Sequence, residues 1–145
     1  LPGRRMNKSR GWEIYPRIIY DMAMRIKNDY RNIDWFVAES GMGVENEAQF
    51  RNSDGVIDDE YRIAFIREHL YYTLLAREEG ANCHGYMLWA FTDNVSPMNA
   101  FKNRYGLIEI DLDNNRARRA KRSASWFRQL RDARVLTLPV DDEWK

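Results

Sequence analysis

The chain has 145 residues, of which 44% are hydrophobic and 31% charged, with 23 Lys and Arg set against 22 Asp and Glu. This composition describes one folded segment, and a net charge of +1 gives no reason to invoke nucleic acid or a membrane surface as partner. The one cysteine, Cys83, excludes an internal disulfide, fits a reducing compartment and reads as a small buried apolar residue. No apolar run has the length of a secretion signal or a membrane span, so a cytoplasmic location is expected. The N-terminus lacks a starting Met and a strand, which reads as the middle of a longer protein.

In chain order, residues 1–10 are basic and polar and read as a loop. Pro16 suits the first turn of a helix, and Ile18, Ile19, Met22 and Ile26 give that helix one apolar face. A polar break leads into Asp34-Trp35-Phe36-Val37-Ala38-Glu39-Ser40-Gly41-Met42-Gly43, a buried strand closed by a carboxylate and a small-residue loop. A long polar connection, residues 40–55, carries Glu45, Glu47, Arg51 and Asp54; loops of that length at the C-terminal end of a strand are often functional. Asp58 or Asp59 caps a helix running to about Glu79, with Ile63, Ile66, Leu70 and Leu74 inward and Gly80 at its C-terminal end. Cys83 to Phe91 reads as a second buried strand, making a right-handed parallel βαβ unit.

Beyond it, residues 92–103 form a polar loop, and the alternation from Leu107 to Leu112 before Asp113-Asn114-Asn115 predicts a hairpin. A last helix is expected over about Ala120 to Ala133 with Ala124, Phe127 and Leu130 inward, followed by an irregular tail from Leu136. Two parallel strands leave faces and edges uncovered. The pattern therefore fits one end of an α/β barrel, or a small assembly that completes itself by oligomerising. The whole chain, residues 1–145, is read as a single segment.

Glu39, at the C-terminal end of its strand, stands where barrel and open-sheet enzymes keep their chemistry, although a solvated carboxylate ending a strand has the same pattern. If the two strands are neighbours, Glu39, Trp89 and the loop from Asp93 to Tyr105 share one mouth. A carboxylate beside an aromatic ring suits a sugar, whose apolar face stacks on the ring while the anion opposes positive charge developing at the anomeric carbon. Ordinary core packing is the alternative for Trp89. Arg116, Arg118, Arg119, Lys121 and Arg122 form a basic cluster that reads as a solvated face. His69 and His84 lack metal-ligand spacing, so neither metal nor cofactor is expected.

Four stretches together resemble glycoside hydrolase family 1. Phe36-Val37-Ala38-Glu39-Ser40-Gly41 is similar to the family's nucleophile motif, with Ser40 where Asn is usual. Gly85-Tyr86-Met87-Leu88-Trp89-Ala90-Phe91-Thr92-Asp93-Asn94 resembles its last barrel strand, whose Trp packs on the sugar. Arg104-Tyr105-Gly106-Leu107-Ile108-Glu109-Ile110-Asp111 and Lys121-Arg122-Ser123-Ala124-Ser125-Trp126-Phe127 resemble two further family segments, in the family's order. The resemblance implies an α/β fold, the C-terminal part of a (β/α)₈ TIM barrel with its last two strands and their helices. It also implies Glu39 as a catalytic nucleophile and Trp89 as a sugar platform.

Ser96 stands where most β-glucosidases of the family carry Glu, which resembles the 6-phospho-β-glucosidase and 6-phospho-β-galactosidase branch. A carboxylate there would repel a phosphate, whereas a hydroxyl and an ammonium donate to it. By position, Ser96, Lys102 and Tyr105 are the implied contacts to a phosphorylated sugar substrate, although Asn103 occupies the slot in which the branch commonly has Lys. The family's acid/base lies in an Asn-Glu-Pro motif that does not occur in this sequence, and a barrel needs about 250 residues. The segment alone is therefore expected not to turn over. An ordinary β-glucosidase and a non-catalytic, self-associating segment remain the alternatives.

Overall fold

A computed structural model describes residues 3–138. β1 (Met6–Asn7) and β2 (Trp12–Glu13) form a small antiparallel hairpin. The N-terminal stretch read as a loop is thus partly ordered, because Gly11, at φ 68°, lets the chain reverse and donates its N–H to the Asn7 carbonyl at 2.8 Å.

α1 (Ile18–Asp29) follows Pro16 and packs against α2 (Glu60–Glu78). Ala23 of α1, Ala76 of α2 and Ala81 form the apolar core there, covered by Tyr20 and Trp35. Small residues at this contact let the two helices approach closely. The expected inward face of α1 is corrected: Ile18 and Met22 are each 45% exposed, because nothing among the described residues packs across from them. In α2, Ile63 and Ile66 are buried as expected, whereas Leu74 is exposed and Thr73 and Ala76 face inward instead. Gly80, at φ 88°, ends the helix as predicted, and the Ala81 N–H donates back to the Ala76 carbonyl at 2.9 Å.

β3 (Trp35–Ser40) and β5 (Cys83–Leu88) are parallel neighbours with Trp35 opposite Cys83 and Ser40 opposite Leu88. This is the predicted βαβ unit, with Cys83 buried. The second strand ends at Leu88 rather than Phe91, which is 72% exposed. A Cβ on Gly85 would meet both Phe36 and Met87, so those two exposed apolar side chains share one uncovered face of the sheet.

The connection after β3 is not wholly irregular. β4 (Val44–Glu45) pairs antiparallel with β6 (Asn103–Arg104), and Glu47–Phe50 makes a turn of 3₁₀ helix. β7 (Ile108–Asp111) and β8 (Ala117–Ala120) form the expected hairpin, and α3 (Arg122–Ala133) begins two residues later than predicted. The irregular tail is seen as far as Leu138; the rest of it lies outside the described residues. Among the described residues no helix is long and apolar enough to cross a membrane.

Candidate active site

Parallel pairing brings the C-terminal ends of β3 and β5 to the same side, and the sequence there is built for close approach. The Trp89 N–H donates to the Ser40 carbonyl at 2.9 Å. The side chains of Glu39, Trp89 and Tyr105, with Trp12 and Phe65, line one hollow of about 410 Å³. Glu39 is exposed into solvent, and Trp89 is 40% exposed rather than enclosed in a core. Tyr105 is buried and packs on Gly43, where a Cβ would stand 2.3 Å from its ring. Ser40 accepts a hydrogen bond from the Tyr86 hydroxyl at 2.7 Å, and burial pushes the Tyr86 phenol up to about 12.

Two sequence-predicted residues lie elsewhere. Ser96 sits in a tight loop closed by reciprocal main-chain bonds with Ala100, and it is not among the residues lining the Glu39 hollow. Lys102 pairs with Glu45 at 3.3 Å and lines a separate hollow of about 250 Å³ with Glu47, Asp93, Arg104 and Glu109.

Beneath both hollows lies a buried polar network that sequence reasoning missed. Arg62 bonds Asp59 at 2.9 Å and pairs with Glu47, which in turn pairs with Lys121. Lys121 also reaches Asp93 at 2.9 Å, and Asp93 accepts from the Gly106 N–H at 2.9 Å. Ser123 donates its main-chain N–H and its hydroxyl to Asp59 at 2.8 and 2.6 Å. Burial disfavours the charged form of Arg62, but Glu47, Tyr61 and Asp59 outweigh it and hold the guanidinium protonated.

The basic cluster is a solvated face as expected at Arg116, Arg118, Arg119 and Arg122, which are exposed, and is corrected at Lys121. Lys121 is 1% exposed, Arg119 pairs with Asp111, and Arg122 pairs with Asp58 and Glu60. Arg119 and Arg122 pair with acids at the surface, whereas Lys121 is withdrawn from solvent and answers buried acids. The signal for Arg62 was its place on the α2 stripe with Ile66, His69 and Thr73, one turn apart on the same face. Among the described residues no cluster of His, Cys, Asp or Glu is arranged to hold a metal ion.

The family model for glycosyl hydrolase family 1 matches residues 4–135. The chain belongs to this family. Among family 1 relatives, 6-phospho-beta-glucosidase GmuD of Bacillus subtilis is 48% identical over 130 residues, 90% of this chain and 28% of the relative. A 6-phospho-beta-galactosidase of Clostridium acetobutylicum is 41% identical over 120 residues, 82% of this chain and 24% of the relative. The chain thus spans about a quarter of the length of the curated relatives it matches. The family 1 β-glucosidase from Thermotoga maritima superposes with a TM-score of 0.85 at 24% identity, over 95% of this chain and 30% of that one. The fold is therefore part of a (β/α)₈ barrel, as expected from the sequence.

Proposed function

We propose that the complete protein containing this segment is a retaining glycoside hydrolase acting on 6-phospho-β-glycosides in the cytoplasm. The observation that carries the reading is the single hollow shared by Glu39, Trp89 and Tyr105 at the ends of two parallel strands. Relatives named as 6-phospho-β-glucosidase and 6-phospho-β-galactosidase support the phosphorylated substrate.

In this reading the Glu39 carboxylate attacks the anomeric carbon, and the bond from that carbon to the leaving oxygen breaks as the new ester bond forms. A second carboxylic acid, supplied from outside this segment and roughly 5 Å away, protonates the leaving oxygen and later takes a proton from the water that hydrolyses the glycosyl-enzyme. Trp89 offers its face to the sugar ring. Ser96 and Tyr105 donate to the 6-phosphate. Lys102 joins them by exchanging Glu45 for the phosphate, a small cost because its side chain is 65% exposed and surface pairs contribute about 1 kcal/mol or less.

The test is covalent trapping. A 2-fluoro-6-phosphoglucosyl fluoride should label the complete protein on the peptide bearing Glu39, as read by mass spectrometry, and Glu39→Gln should abolish both labelling and turnover. Labelling of another carboxylate would remove Glu39 from the role.

A further inference from the structure

Arg62 has five N–H groups, and all of them are engaged inside the protein. Its Nε holds Asp59 at 2.9 Å, and one Nη2 bond goes to Glu47. The remaining three bonds go to main-chain carbonyls: Met42 at 2.5 Å, Tyr105 at 3.1 Å and Arg104 at 3.3 Å. Met42 lies three residues beyond Glu39, in the loop that leaves β3, and Tyr105 lines the same hollow as Glu39. One planar cation thus ties the loop that leaves β3 to the main chain at Tyr105. Among the described residues the only main-chain ladder joining them is the two-residue pairing of β4 with β6.

We propose that Arg62 is a positioning residue that fixes the distance between the Glu39 loop and Tyr105. The proposal rests on the glycosidase reading above, in which Tyr105 anchors the sugar and Glu39 attacks it. If the clamp is lost, Tyr105 still grips the phosphate, so binding is kept. The anomeric carbon is then delivered off the line of attack. The expected signature is a fall in kcat with little change in KM, confined to substrates that use the anchor.

A merely structural role makes a different prediction. If Arg62 served only to neutralise Glu47 and Asp59, a lysine would replace it. A lysine keeps the charge but has three N–H donors on one nitrogen, so it cannot hold Asp59, Glu47 and the Met42, Tyr105 and Arg104 carbonyls together as the three nitrogens of Arg62 do. Arg62→Met takes the cation from buried Asp59 and leaves Glu47 with Lys121 alone, and so tests folding; Arg62→Lys tests position.

The experiment uses the complete protein, wild type and Arg62→Lys, with nitrophenyl 6-phospho-β-glucoside and nitrophenyl β-glucoside as substrates and circular dichroism to establish that the variant is folded. The expected result is a folded Arg62→Lys whose kcat on the phosphorylated substrate falls about 10- to 100-fold while KM moves by less than about threefold. The loss on the unphosphorylated glucoside should be smaller. An unchanged kcat, or equal losses on both substrates, would overturn the positioning role. A wild type that hydrolyses neither substrate overturns the glycosidase reading itself, and the positioning role with it.

Discussion

Gly41 lies directly against the main-chain carbonyl of Trp89, so closely that a Cβ on the glycine would stand 1.6 Å from that oxygen. Backbone cannot step aside as a flexible side chain can. Gly41→Ala should therefore force the ends of β3 and β5 apart and cost about 1–3 kcal/mol of stability, measured by urea denaturation. An unchanged midpoint would mean that the strand ends are not in contact at Gly41.

Ser96 stands apart from the Glu39 hollow in its tight loop, which gives its proposed phosphate contact a clean test. A hydrogen bond to a charged group is worth about 1.5–3 kcal/mol. Ser96→Ala should thus raise KM for a 6-phosphoglycoside about 10- to 100-fold and leave KM for the plain glycoside where it was. Equal values before and after would place the phosphate elsewhere.

His69 stacks on the Phe65 ring at 3.9 Å, and its Nδ1 lies 2.7 Å from the Phe65 carbonyl. Burial holds its pKa down to about 4 from the ordinary 6.5; the Phe65 carbonyl opposes this shift and Arg5 reinforces it. Between those values the unfolded chain takes up a proton that the folded chain refuses. The contribution of neutral His69 is therefore complete above pH 6.5 and fades as pH falls toward 4, about 3 kcal/mol in all. Stability of wild type and His69→Gln, followed by urea midpoint across that window, should diverge in slope. Parallel curves would show that His69 titrates normally.

Phe36 and Met87 leave an apolar patch on a sheet of two strands whose outer edges have no partner among the described residues. The isolated 145-residue chain should self-associate, and light scattering after gel filtration should show Phe36→Lys with Met87→Lys shifting it toward monomer. A wild-type segment that runs as a monomer would contradict this.

What could be read from the sequence follows a physical division. β3, β5 and the helix between them were legible because apolar runs and a 3.6-residue stripe report local structure. The meeting of Glu39 with Trp89 followed from parallel pairing alone. The stripe says which residues share a side, not whether anything lies across from them. That is why Ile18, Met22 and Leu74 were placed inward and found exposed. Arg62 and Lys121 were missed for a complementary reason. Their meaning resides in partners far along the chain, since Lys121 meets Glu47 across 74 residues and Asp93 across 28. A run of basic residues carries no mark of which one will be enclosed.

The 74-residue gap between Glu47 and Lys121 also has a temporal side. Translation at about 5–20 residues per second puts roughly 4 to 15 s between the emergence of the acid and that of the lysine that pairs with it. Until the lysine arrives, Glu47 has Arg62 as its one buried cation and Asp93, which emerges 28 residues before Lys121, lacks its buried one, so the hollow beside Glu39 takes its final shape only when the first turn of α3 docks.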